Sequence, residues 1–286
     1  MTQKQNSLCI SIRSLKRSQY LKRCLDSLLS NEGIEDIDFY LLQDGAVNPF
    51  SGIRYATDEE IKASTHVFLK SKLPNKTIEI FSENLGCALE KKHQLNTLFS
   101  KYDYVVLIDN DLVVNKYYIK TLKVLFEQFK NNNKAGILQT SFRHTGLETL
   151  QSEEEAKKLE DIVTYGFSHR WELGFWKESW ERIKPFMKDY FELVKECDFK
   201  ELLYNSNVYQ DIRKKLHEIY GTEHADFTLE KCAVKAGYGG IHTSTLRHRT
   251  IGKEGIYSFK ASRFDTGGYG KIKLHQIGDV EKYKFK

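Results

Sequence analysis

Apolar runs alternate with amphipathic stretches through the first half of this chain, which predicts βα units feeding a mostly parallel sheet. Short apolar runs predict strands at about Leu8 to Arg13, Ile37 to Gln43, Thr77 to Phe81, Tyr104 to Ile108 and Gly136 to Thr140. Between them, Tyr20, Leu21, Cys24, Leu25, Leu28 and Leu29 recur at helical spacing, and helices are also predicted over Gly86 to Phe99 and Asn115 to Phe129. Thr57 followed by Asp58, Glu59 and Glu60 has the form of a helix start, a capping side chain with acids in the first turn. After about Ser141 the rhythm changes to long mixed helices rich in aromatics, opened by the acidic run Ser152 to Glu155, and then to a Gly-rich end from Gly237 to Gly270. A soft boundary therefore divides residues 1–140 from residues 141–286, as two halves of one continuous domain. Gly267, Gly268 and Gly270 would permit a mobile tail.

Composition narrows the class. The chain has 286 residues, 40% hydrophobic and 29% charged, which suits a globular protein with a sizeable core and not a disordered one. Lys and Arg number 44 against 39 Asp and Glu, and this excess of +5 is too small and too spread out for a nucleic-acid footprint. It is compatible with anionic phosphates or weak peripheral attraction to an anionic membrane surface. Cys9, Cys24, Cys87, Cys197 and Cys232 form no CxxC pair, so neither a disulfide framework nor a thiolate zinc site is expected, and a reducing compartment is. No signal peptide and no run of about 18 apolar residues is present, so the expected location is cytoplasmic, at most peripheral to the inner face of a membrane.

The sharpest chemical feature is the triplet Asp109, Asn110 and Asp111, where the predicted strand from Tyr104 to Ile108 runs out. Carboxylates are costly in a core, and ligands of open α/β sheets bind outside the carboxyl ends of strands, so two acids there can hold a hard divalent cation. A plain Asp/Asn turn is the competing reading of the triplet alone. The missing Gly and final Glu exclude an EF-hand. Asp44, before Gly45, is a second acid expected at that edge, suited to a nucleobase or ribose. Asn84, Leu85 and Gly86 then open a helix whose face could approach phosphates, with Lys91, Lys92 and His93 on it.

Taken in order, Ile10 to Ser14, Tyr20 to Leu29, Gln43-Asp44-Gly45, Asn84-Leu85-Gly86 and Leu107 to Asp111 resemble a family 2 type GT-A glycosyltransferase over roughly the first 140 residues. A fainter similarity is to N-acetylglucosaminyltransferase I, through Arg23 to Asp26, the Gln-Asp turn and Arg249 to Gly255. The resemblance implies an α/β GT-A (Rossmann-like) sheet and a nucleoside diphosphate-sugar donor, with UDP first among them. It also implies a hexosyl or N-acetylhexosaminyl group transferred to a glycan or glycolipid hydroxyl. By it the uridine lies near Ser14, Arg17 and Asp44; Asn84, Lys92, Asp109 and Asn110 are further candidates toward the donor. The resemblance further implies Mn2+ or Mg2+ held by Asp111, with Asp109 on the ribose or in the metal shell. The family's Pro-Thr-Tyr-Asn is here Arg13-Ser14-Leu15-Lys16, which alters the base and ribose contacts.

In the second half, His224 to Leu229 followed by Lys235 to Tyr238 resembles the family's Glu-Asp-x-x-Leu stretch, which makes Asp226 the general base of an inverting transfer, with Ala225 in place of the usual Glu. Glu178 is the reserve base, and Tyr165, Trp171, Phe175, Trp176 and Trp180 are either core or acceptor-facing aromatics, core being the commoner use. Near the end, His248 is a further candidate metal ligand, while Arg249 and Lys253 are candidate phosphate clamps. A sugar-phosphate nucleotidyltransferase would need a Gly-rich loop where Ser14 to Ser18 stand, and a non-catalytic glycan-binding protein is the remaining alternative.

Overall fold

The computed structural model describes residues 7–142, 152–168, 171–205, 207–254, 264, 269 and 272–286. Gly255 and the glycines at 267, 268 and 270 lie outside the described residues. The strands are β1 (Leu8–Ser14), β2 (Asp38–Gln43), β3 (Lys76–Ile80), β4 (Tyr104–Asp109), β5 (Leu112–Val114), β6 (Ala135–Gln139), β7 (Ile162–Tyr165), β8 (Glu172–Trp176), β9 (Gly239–Thr243), β10 (His248–Thr250) and β11 (Lys284–Phe285). The helices are α1 (Ser18–Leu29), α2 (Asp58–Lys70), α3 (Gly86–Leu98), α4 (Tyr118–Phe129), α5 (Glu153–Lys158), α6 (Lys177–Val194), α7 (Phe199–Tyr204), α8 (Gln210–Tyr220) and α9 (Ala225–Lys235).

Among the described residues, nine strands form one mostly parallel sheet in the order β11-β7-β9-β6-β8-β4-β1-β2-β3, and β5 with β10 make a separate two-stranded ribbon. β1, β2, β3 and β4 run parallel, with β2 and β3 on one side of β1 and β4 on the other. The order therefore reverses between β1 and β4, which is where open α/β sheets hold ligands. Helices cover both faces. Leu21, Phe68, Tyr118, Leu122 and Phe126 pack on one face, and Leu95, Trp180, Ile183 and Leu229 on the other. Burial on both faces is why β2 and β4 carry continuous apolar runs instead of alternating ones.

Local chemistry sets the helix starts. Thr57 and Glu60 form a reciprocal capping box at α2, and Ser152 with Glu155 repeats it at α5. α4 starts at Tyr118, three residues after the predicted Asn115, because the Asn115 side chain accepts from the Tyr117 amide and donates to the carbonyls of His275 and Ile277. The second half also departs from the expected run of helices. Its β7, β8 and β9 complete the same sheet, and antiparallel β8 sits between β4 and β6. Among the described residues, no helix is long and apolar enough to cross a membrane.

Candidate active site

Because β1, β2 and β4 are parallel and in register, their last residues reach one edge together: Arg13 stands opposite Asp109, and Ser14 opposite Gln43. Each residue of the acidic triplet is engaged there, and Arg17 serves two of them. The Asp109 carboxylate pairs with Arg13. Asn110 donates to the Lys16 carbonyl (2.8 Å) and the Ser14 hydroxyl (3.3 Å), and accepts from the Arg17 guanidinium (2.9 Å). Asp111 pairs with the other terminal nitrogen of Arg17 at 2.9 Å. Ser14 and Asn110 thus shape the turn after β1, and Arg17 closes it onto Asp111. Arg17 holds φ of 70° at the head of α1, in the left-handed region that side chains other than Gly, Asn and Asp rarely adopt.

The short ribbon brings the end of the chain over this edge. Thr250 stands opposite Leu112, its hydroxyl lies 3.5 Å from the Asp111 carboxylate, and the Ile251 amide donates to the Asp111 carbonyl at 2.8 Å. The Glu254 carbonyl accepts from Arg17. At Gly252 a Cβ would fall 2.0 Å from an Asp111 carboxylate oxygen, so only glycine lets the backbone approach this closely. Beside Arg17 opens a cleft of about 720 Å3 lined by Lys16, Arg17, Gln19, Arg54, Tyr55 and Lys200, among others. Its size lies within the usual range of small-molecule sites, and its lining is of mixed charge, the cations Lys16, Arg17, Arg54 and Lys200 with Glu59, Glu60 and Glu254.

On the other side of Asp109, the Asp226 carboxylate in the first turn of α9 is paired with Lys91 of α3. Lys91 is 5% exposed and Asp226 34%, so the carboxylate remains partly open to solvent while its counter-ion is buried. Arg13 joins the two halves of the edge. Burial works against its charge, yet Asp109, Cys87, Glu90 and Asp226 together hold its pKa above the ordinary value. Glu90, buried on α3, has its carboxyl pushed up by burial and by the nearby charge of Asp44. Neither Arg13 nor Glu90 was singled out from sequence, and an alternating burial pattern in α3 is too irregular to mark Glu90 beforehand.

Several expected site residues are placed otherwise. Asp44 reaches the edge, but its oxygens accept from the amides of Gly45, Leu85 and Gly86 and from the Asn84 side chain. Asp44 and Asn84 therefore fasten the start of α3 to the end of β2. Burial lifts the Asp44 carboxyl to about 6 even against the three amides. Lys92 points away from the edge, its ammonium 5.3 Å from the Phe191 ring centroid on α6. Glu178 is 78% exposed beside Arg182, on a helix that starts next to Trp176, whose strand partner is Tyr104 at the opposite end of β4.

His248 is also displaced from its expected role as a metal ligand. It faces inward from β10, 2.8 Å from Glu172, and both side chains are 0% exposed. Tyr118 meets its ring edge-on, and Glu172 accepts from the Thr140 amide and hydroxyl. Arg249 faces the other way and lies near enough to Arg23 for the two guanidinium groups to repel. Lys253 is exposed on the segment that crosses Asp111. The aromatic residues Phe175, Trp176 and Trp180 are core.

Among the described residues, no three His, Cys, Asp or Glu side chains converge as a ready metal cradle. Asp109 and Asp111 are nonetheless hard oxygen donors side by side. Burial raises the Asp111 pKa, Arg17 opposes that rise and Asp109 adds to it, so a cation beside this carboxylate is stabilising. The pair fits a hard divalent ion that takes few protein ligands and completes its shell with phosphate and water.

No protein-family model matches the sequence, and no curated protein matches it. Among solved structures the chain is similar to mannosyltransferase PcManGT from Pyrobaculum calidifontis in complex with GDP-Man and Mn2+, at 12% identity over 82% of this chain and 74% of that one, with a TM-score of 0.41. It is also similar to residues 1–349 of TarS from S. aureus, at 10% identity over 64% of this chain and 48% of that one, with a TM-score of 0.38. The same TarS fragment in complex with UDP-GlcNAc gives 11% identity over 64% and 47%, with a TM-score of 0.40.

Proposed function

We propose that this chain is a GT-A type glycosyltransferase that moves a sugar, with inversion, from a nucleoside diphosphate to a hydroxyl of a glycan or glycolipid. The observation that carries the reading is the meeting, at the β1/β4 edge, of the Asp109 to Asp111 triplet, a cleft lined by Lys16 and by the Arg17 that pairs with Asp111, and a partly open Asp226 beyond Asp109. UDP is the first donor to test, on the sequence resemblance.

In this reading the nucleoside occupies the cleft along Lys16 to Gln19 and Arg54 to Tyr55, and its diphosphate runs toward Arg17 and Asp111. Mn2+ or Mg2+ held by Asp111 with Asp109 supplies charge compensation to the departing diphosphate when bound. Asp226 accepts the acceptor hydroxyl proton as the new carbon–oxygen bond forms at the sugar's anomeric carbon and the bond to phosphate breaks, its electron pair leaving with the diphosphate. Lys91 fixes the Asp226 carboxylate in place, and Arg13 pairs with Asp109 between donor and acceptor sides.

Release of nucleoside diphosphate from a panel of UDP- and GDP-sugars, with Mn2+ and mixed glycan acceptors, tests this. Asp226→Asn should lower turnover by about 10²- to 10⁴-fold while donor binding stays within roughly threefold. Wild-type turnover in that variant would remove the base assignment.

A further inference from the structure

The site's own cation deepens this reading and rests on it. Asp111 is the residue a divalent ion needs, yet one of its oxygens faces Arg17 at 2.9 Å with the Gly252 backbone close against it, while the Thr250 hydroxyl lies 3.5 Å from the other oxygen. Arg17 is not an incidental neighbour. Its guanidinium also holds Asn110 at 2.9 Å and the Glu254 carbonyl, so one side chain ties the turn after β1, the triplet and the crossing segment together. To do this its backbone sits at φ 70°, a conformation that costs energy for a long side chain and persists only where the surroundings over-determine it. The same side chain lines the cleft in which an anion would lie.

We propose that Arg17 is a resident counter-ion of Asp111 that exchanges its partner during donor binding. Without a ligand it neutralises Asp111 and keeps a divalent ion out by charge repulsion and by occupying the carboxylate. A diphosphate in the cleft offers the guanidinium a better, bidentate partner. Arg17 then leaves Asp111 for phosphate, and the carboxylate becomes available to the ion. Metal and nucleotide therefore bind as a pair, each raising the other's affinity by the same factor.

Mn2+ binding followed by its electron paramagnetic resonance signal reads this directly, without turnover. Arg17→Gly removes the cation and suits the backbone angle, so folding should be kept, as its melting curve will verify. Without nucleotide, Arg17→Gly should bind Mn2+ at least about tenfold more tightly than wild type, whereas Arg17→Lys, which keeps the charge, should not. UDP or GDP should tighten Mn2+ binding in wild type by at least about tenfold more than in Arg17→Gly. Equal Mn2+ affinity of wild type and Arg17→Gly in the absence of nucleotide would overturn the proposal, whatever the nucleotide does. A lack of any UDP or GDP effect in either protein would instead overturn the nucleotide reading beneath it.

Discussion

Lys91 and Lys92 are neighbours in sequence and opposites in environment: Lys91 is buried against Asp226, and Lys92 lies over the Phe191 ring. One residue along a helix turns a side chain by about 100°, so which lysine faces the site depends on the phase of α3, which its weakly patterned sequence does not define. The same limit hides Asp44. Its position at the end of β2 was legible, but the Leu85 and Gly86 amides that occupy it lie at the start of a helix that begins 42 residues later. These residues give three expected outcomes. Asp226→Ala should destabilise the fold by about 3 kcal/mol in urea unfolding, because it strands a buried ammonium, while the double change with Lys91→Met recovers most of that loss. Asp44→Ala should cost about 2–3 kcal/mol by leaving buried amides unpaired. The Asp44 carboxyl, raised to about 6 from an ordinary 3.8, binds its proton more tightly in the folded state. Its contribution is therefore present below about pH 4 and lost as pH rises through 6, and Asp44→Asn should flatten the stability profile across that window.

At the scale of elements, the first half was readable because each buried strand is bounded by turn residues and followed by an amphipathic helix of ordinary length. The strands of the second half were not. β8 runs into α6 without a turn between Trp176 and Lys177, so its five residues merge with a long aromatic helix, and its charged Glu172 is fully buried only because Thr140 and His248 meet it. β9 begins with two glycines, and β10 is three residues long, both too slight for a periodic signal. β10 nevertheless positions the crossing segment, which gives a test at this scale. Gly252→Ala should force that segment off Asp111, weakening nucleotide binding by about tenfold or more while the melting temperature stays within a few degrees.

For the whole molecule, the expected division near residue 141 marks a change in rhythm and no break in the sheet, since β8 is hydrogen-bonded between β4 and β6 and β9 lies beyond β6. A sheet that interleaves strands from both halves cannot lose one half without exposing the core faces of the other. Tryptophan fluorescence and far-ultraviolet circular dichroism should therefore report a single coincident unfolding transition. The same interleaving places Asp226, from the second half, at the edge built by β1 and β4 from the first, with α3 holding it through Lys91.

On the proposed function, a nucleoside diphosphate binds at this edge through Asp111. Isothermal titration of UDP and of GDP, with Mn2+, into wild type and Asp111→Asn tests it most directly. One of the two nucleotides should bind wild type at least about tenfold more tightly than the variant, with the variant's fold unchanged by circular dichroism. Equal binding to both proteins, or binding of neither nucleotide to wild type, would contradict the account.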